Sequence, residues 1–240
     1  MKRYTSAFPV IFSIEQNSPG QFKIYIINAI TDAAFPDYIL VKKDSKINSL
    51  LDLKGKRMGT YPGSTILTYT KVILKHFFDP YKDISIIQLK PELQLQALES
   101  GQVDAIFALD PIASLGIVRG IARILEEAPL SKYIMNPLPG NGSTFSPKFL
   151  KEHPNAAEKV KNAMYRAIDF LNNPQNAQEI KKIVAKWTQM DPEVIERLRP
   201  LRYWKLEEID RKVVQKLADL LSEERSLEKR INTSGLYYDK

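Results

Sequence analysis

Residues 57–77 read RMGTYPGSTILTYTKVILKHF. Arg57–Tyr61 has the length of a short buried strand. Pro62-Gly63-Ser64-Thr65 interrupts it. Ile66, Leu67, Thr70, Ile73, Leu74 and Phe77 then recur at spacings of three and four, the period of a helix with one apolar face. A strand that turns through a glycine loop into a helix is the building unit of an α/β sheet. Outward from it, comparable apolar runs predict strands at Pro9–Ile14, Phe22–Ile27, Tyr38–Lys43, Ile84–Leu89, Val103–Ala108 and Arg123–Leu125. Helical patterns lie between many of them. One opens at Pro91 and stops at Gly101, and another opens at Asp110-Pro111, with Asp110 expected as the N-cap. The alternation predicts a mostly parallel α/β sheet.

After Asn141 the pattern turns helical. Ala157, Val160, Ala163, Met164, Ala167, Ile168 and Leu171 mark one amphipathic helix behind Pro154. Ile180, Ile183, Val184 and Trp187 mark a second, and Ile209, Val213, Leu217, Leu220 and Leu221 a long third. The last 90 residues are therefore expected to be nearly all helix, packed on a sheet built earlier. No internal repeat has a fixed period.

The 240 residues are 44% hydrophobic and 26% charged, a globular composition. Zero cysteines exclude a disulfide framework, thiolate ligands and a lipid-bearing cysteine within this chain. The net charge of +7 is spread, with 17 basic and 13 acidic residues in the first 150 and 18 and 15 in the last 90. That spread argues against a nucleic-acid partner, whose binding face would concentrate the charge. The N-terminal apolar run Phe8-Pro9-Val10-Ile11-Phe12 is too short for a leader core or a membrane span.

No catalytic or metal constellation is visible. The two histidines, His76 and His153, have no metal-ligand spacing and read as surface or capping groups. GxSxG, Walker and GxGxxG patterns are all missing. Four loops remain as binding candidates. Gly63 lets the backbone approach a ligand, and Ser64 and Thr65 at a helix start offer hydroxyls and free N–H groups for an anion, or simply cap the helix. Asp110 sits at the carboxyl end of a strand, where open α/β sheets bind ligands, and suits an amine or ring nitrogen, or simply caps. Asn28 and Thr31 lie at a strand exit. Gly142 and Ser143 belong to a glycine-rich loop, Pro139–Thr144, that is otherwise a flexible connection.

The order of motifs is familiar. Residues 39–59, ILVKKDSKINSLLDLKGKRMG, followed by Pro62-Gly63-Ser64-Thr65, then ALESGQVDA at 97–105, Asp110-Pro111 and FLKEHP at 149–154, resemble the solute-binding proteins of ABC importers in the nitrate, sulfonate, taurine and thiamine-precursor group. The resemblance covers roughly residues 36–190. It implies a two-lobe periplasmic-binding-protein fold (type II), with residues 1–54 and 136–240 in lobe 1, residues 55–135 in lobe 2, Tyr38–Lys43 as the outgoing crossover and a helical C-terminal cover. It also implies a small polar or anionic solute (sulfonate, taurine, nitrate or pyrimidine precursor) in an interlobe cleft lined by Ser64, Thr65, Asp110 and the 140–144 loop. Lobes would close on the ligand by a hinge and meet an ABC permease, in the periplasm or another extracytoplasmic location. No cofactor, metal or catalytic residue is implied.

The family's first strands and helices have no counterpart here, so the first lobe is expected to be incomplete. Such a lobe has an open sheet edge and invites self-association. The competing class is an enzyme on the same fold, of thiamine- or menaquinone-precursor type. Zero cysteines and two histidines weigh against the thiamine type. A sensor module lacks a DNA-binding segment ahead of the α/β part.

Overall fold

The computed structural model describes residues 4–239. The chain divides into two units. The first comprises 1–30, 137–182 and 201–240; the second comprises 31–136 and 183–200.

The first unit is organised by the run KIYIINAI, which forms β2 (Lys23–Ile30) and is buried from Ile24 onward. Continuous burial requires cover on both faces of the strand. The sheet runs β1 (Tyr4–Ala7), β8 (Leu138–Phe145), β2 and β9 (Arg202–Lys205), and every pairing in it is antiparallel. A register shift between Ile24 and Ile26 brings Tyr25 and Ile26 into one cluster with Phe145 and with Ala157 and Ile168 of α7 (Pro154–Asn172). Tyr25 stacks on Phe145 with centroids 4.1 Å apart. Phe8, Ile11 and Phe12 of α1 (Phe8–Asn17) and Val214, Leu217 and Leu221 of α10 (Arg211–Glu223) are also buried, and both helices lie on β8. The short helix α6 (Pro147–Glu152) precedes α7.

The second unit carries β5 (Ser85–Gln88), β4 (Arg57–Thr60), β6 (Ala105–Leu109), β3 (Asp37–Lys42) and β7 (Ala122–Glu127), in that order. β5, β4 and β6 are parallel, joined through α2 (Ser64–Leu74) and α3 (Pro91–Glu99); β3 runs antiparallel to both β6 and β7. Ile39, Leu40, Val41, Met58, Ile106, Phe107 and Ala108 fill its centre. The helices α4 (Ile112–Val118), α5 (Pro129–Tyr133) and α9 (Pro192–Arg197) pack around the sheet, with α9 against α4. α8 (Ala177–Thr188) runs from the chain segment of one unit into that of the other. The LLDL turn before β4 is fixed by Asp52, whose Oδ2 accepts from the N–H groups of Asn48 (2.9 Å) and Ser49 (3.0 Å). Those bonds hold its carboxyl below the usual range.

The structure corrects several expectations. Pro9–Ile14 is helical, in α1: Phe8, Ile11 and Phe12 follow the helical period, and Pro9 sits in the first turn, where its missing N–H costs nothing. The sheets are not mostly parallel. One is wholly antiparallel and the other mixed, because continuous apolar runs signal burial on both faces and not strand direction. Asn28 lies within β2, not at a strand exit, and Gly142 and Ser143 lie within β8, not in a loop. Gly142 is seated between β1 and β2, and a Cβ there would come 3.0 Å from Ile11 Cδ1, so close packing accounts for that glycine. The cap of α4 is Pro111, with Asp110 one position before it. Within the last 90 residues, expected to be nearly all helix, the four-residue strand β9 joins the first sheet. Tyr38–Lys42 of the expected outgoing crossover lies in β3. Among the described residues no helix is long and apolar enough to cross a membrane, and no group of three or more His, Asp or Glu could hold a metal ion.

Candidate functional site

Parallel pairing of β4 with β6, Met58 opposite Ala105 and Gly59 opposite Ile106, delivers both strands to one edge of the second sheet. Gly63 and Asp110 stand just beyond those two carboxyl ends. Gly63 has φ +111°, a conformation that glycine reaches without strain, and it is the N-cap of α2. No side chain caps that helix. The Gly63 N–H donates to Gln88 Oε1 at 2.8 Å, so β5 fixes the loop. Ser64 and Thr65 form the first turn and Ser64 is exposed. The macrodipole and unpaired N–H groups of such a turn favour an anion.

Tyr61 ties the two strand ends together: its hydroxyl accepts from Leu109 N–H at 3.3 Å. Asp110 Oδ1 accepts from the N–H (3.0 Å) and hydroxyl (2.7 Å) of Ser114. Its Oδ2 is buried without a partner. Burial raises the Asp110 carboxyl above its usual range, against the bonds from Ser114, the charge of Arg197 and the Tyr38 hydroxyl. Tyr38, opposite Ala108 on β3, is pushed up to about 12, first by burial and then by the charge of Asp110, while Arg199 pulls the other way. The Arg199 guanidinium also lies over the Phe35 ring, 5.8 Å from its centroid.

Asp37, one residue before Tyr38, is 0% exposed. Its Oδ2 accepts from Leu130 N–H at 2.8 Å, and its Oδ1 has no partner. Burial pushes this carboxyl up to about 7; the bond from Leu130 opposes the shift and the charge of Asp110 adds to it.

The other candidates are distributed differently. Thr31, in the second unit, closes its own turn: Thr31 N–H donates to Ala34 O and its hydroxyl accepts from Ala34 N–H, both at 3.0 Å. Asn28, Gly142 and Ser143 belong to the first unit. Asn28 is 6% exposed, and its Oδ1 accepts from Asn141 N–H. A Cβ on Gly140 would approach that oxygen to 2.6 Å. Gly140→Ala is therefore expected to displace Asn28 and lower stability by about 1–3 kcal/mol, the range for a clash or a lost buried hydrogen bond. Urea midpoints of the variant and of Gly140→Ala/Asn28→Ala check this; an unchanged midpoint for the single variant refutes it. The Ser143 hydroxyl lies 3.3 Å from that of Thr5 on β1.

Sequence reasoning thus found the loop 63–65 and Asp110, which lie at one sheet edge, but missed Asp37, Tyr38, Tyr61, Arg197, Arg199 and Thr5. An aspartate heading the apolar run DYILV was a usable signal, because charge is rarely placed at the start of a buried strand without a task.

This architecture is that of the two-lobe periplasmic binding proteins. The alkanesulfonate-binding protein SsuA from Xanthomonas axonopodis pv. citri, solved bound to MOPS, is similar over 99% of this chain and 80% of its own, with TM-score 0.76 and 22% identity. The desulfurization enzyme DSZB has the same fold, with TM-score 0.73, 14% identity, and 100% of this chain and 84% of that one covered. By sequence, a Bacillus subtilis (strain 168) protein named for binding aliphatic sulfonates is 27% identical over 203 residues, which is 82% of this chain and 59% of that protein. The chain spans about half to three-fifths of the length of the curated relatives it matches. The model of the NMT1-like family matches residues 9–185, and the chain belongs to that family.

Proposed function

We propose that the chain is a binding protein, not an enzyme, and that it captures a small organic anion, foremost a sulfonate. The observation that carries this reading is the pairing, at one sheet edge, of the uncapped first turn of α2 with the unpartnered Oδ2 of Asp110. Gly63, Ser64 and Thr65 would take the anionic group through N–H and hydroxyl donors. Asp110 would accept from an N–H donor at the far end of the same molecule, as an aminosulfonate such as taurine or an aminopyrimidine offers. The first unit's candidates, Asn28, Gly142 and Ser143, are held by contacts within that unit and are not part of this proposed set. The name of the B. subtilis relative supports a sulfonate over nitrate. Delivery to an ABC permease from an extracytoplasmic location belongs to the same reading.

Calorimetric titration with taurine, ethanesulfonate, nitrate and an aminopyrimidine tests it. Heat is expected with at least one sulfonate. Asp110→Ala is expected to weaken taurine about 10- to 100-fold, the loss of one charged hydrogen bond, and ethanesulfonate by less than about threefold. A folded protein that gives no heat with any of the four sinks the reading.

A further inference from the structure

The helix α8 has the sequence pattern of a core-facing helix and none of the burial. Ile180, Ile183, Val184 and Trp187 recur at spacings of three and four, so they line one stripe. Yet no residue of this helix is buried. Ile180 and Val184, on one side of the stripe, are half-buried. Ile183 and Trp187, on the other side, are 44% and 78% exposed. Trp187 is the most exposed large hydrophobic side chain among the described residues. The ends of the helix are settled locally. Glu179 in the first turn and Lys186 in the last complement the macrodipole. The Thr188 hydroxyl donates to Val184 O at 2.7 Å, and Gln189 N–H donates to Ala185 O at 3.0 Å. Gln189, with φ 55°, then turns the chain out of the helix.

The polar face is basic. It carries Lys181, Lys182 and Lys186 against one carboxylate, Glu179. Lys182 and Lys186 each precede a member of the exposed side, and the Lys186 Nζ lies 6.0 Å from the centroid of the Trp187 ring. The carboxylates that follow, Asp191 and Glu193, belong to the cap and first turn of α9. This charge decides what fits the stripe. Two copies of α8 would crowd six lysines, three from each, around one short seam with only two glutamates. A surface of acidic headgroups meets the same lysines with the opposite sign. Aliphatic and indole side chains on one face and lysines on the other suit a helix lying flat in a bilayer interface. The indole then sits at headgroup level and the lysine stems reach past it to phosphate. Twelve residues, about 18 Å of helix, are too few to cross a bilayer but enough to lie on one.

We propose that the Ile183–Trp187 side of α8 docks on an anionic phospholipid surface, with these two side chains entering the interface and Lys182 and Lys186 pairing with lipid phosphates. The inference stands apart from the identity of the solute, since α8 contributes nothing to the proposed solute contacts. For a carrier that delivers to a permease, such docking would confine the search for it to the plane of the membrane.

Sedimentation at low salt with phosphatidylcholine vesicles, with and without an equal share of phosphatidylglycerol, tests this. The whole chain is expected to sediment with the mixed vesicles and to stay in solution with phosphatidylcholine alone. In a Trp204→Phe background the emission of Trp187 is expected to move to the blue on the mixed vesicles. The double variant Ile183→Ala/Trp187→Ala, at exposed positions, is expected to keep the urea midpoint and to bind at least about tenfold more weakly. Lys182→Gln/Lys186→Gln is expected to lose about 25-fold, roughly fivefold for each lysine. Should the Trp204→Phe background fail to fold, sedimentation of the wild type against the double alanine variant carries the same test. Absence of binding to the mixed vesicles overturns the proposal. Binding that survives unchanged in the double alanine variant overturns it too, because net charge alone then holds the protein. A dimer that sedimentation equilibrium detects and the same variant dissolves also overturns it, because a second copy then covers the stripe.

Discussion

Asp37→Asn is expected to stabilise the protein at pH 8 and to flatten its stability between pH 4 and 7. A carboxyl raised from 3.8 to about 7 keeps a proton in the folded state that the unfolded chain has already released over that interval. The folded state binds more protons there, so stability falls as pH rises through the window, and the cost of the buried charge is fully present above pH 7. Three units correspond to roughly 4 kcal/mol as an upper bound, because burial dominates the shift and the Asn amide avoids it. Urea midpoints of both proteins at pH 5 and pH 8 check the expectation. Equal gains at the two pH values would show that the substitution acts through packing and not through ionisation.

Phe145→Ala is the substitution expected to cost most, about 3–5 kcal/mol, the range for deleting a buried aromatic ring. Phe145 is 1% exposed. Its ring stacks on Tyr25 at 4.1 Å, meets Tyr238 edge-on at 5.6 Å and lies 5.7 Å from Phe149. Removing it leaves the cluster of Tyr25, Ile26, Ala157 and Ile168 around a void. Phe145→Leu, which refills part of the volume, should cost well under half as much. The two tryptophans separate the response: Trp204 lies on β9 of the first unit and Trp187 in a segment of the second. Fluorescence of Trp204 in a Trp187→Phe background follows the affected sheet. A midpoint unmoved by Phe145→Ala would remove this cluster from the stability core.

The second unit was the more legible in sequence. Its strands β4, β5 and β6 alternate with helices whose starts are marked by Gly63 and Pro91, so local punctuation and global fold agree. The first unit was less so. Its strands pair with partners more than a hundred residues away, and nothing local states that Phe8-Pro9-Val10-Ile11-Phe12 is a helix whereas Lys23–Ile30 is a strand, both being short apolar runs. The glycines at 140 and 142 read as a loop although they serve close packing in β8. At the site, Gly63–Thr65 and Asp110 could be found because helix starts after strands have a local signature. Tyr38 and Arg197 reach Asp110, and Arg199 reaches Tyr38, only through the fold, across about 70 to 160 residues of chain.

The order of strands in the first sheet has a consequence for biosynthesis. Neither β1 nor β2 pairs with the other; β1 pairs with β8, and β2 with β8 and β9, with Tyr4 opposite Thr144, Ile30 opposite Leu138 and Ile26 opposite Lys205. As the chain leaves the ribosome, the apolar segment KIYIINAI must therefore wait while residues 31–137 are made, roughly 5–20 s at ordinary elongation rates. The β4–β6 region can close on nearby partners during that interval. A nascent chain with one half settled and an unpaired sticky strand behind it is the form that a holdase chaperone would recognise, and slowing translation between residues 31 and 137 should raise the fraction lost to aggregates.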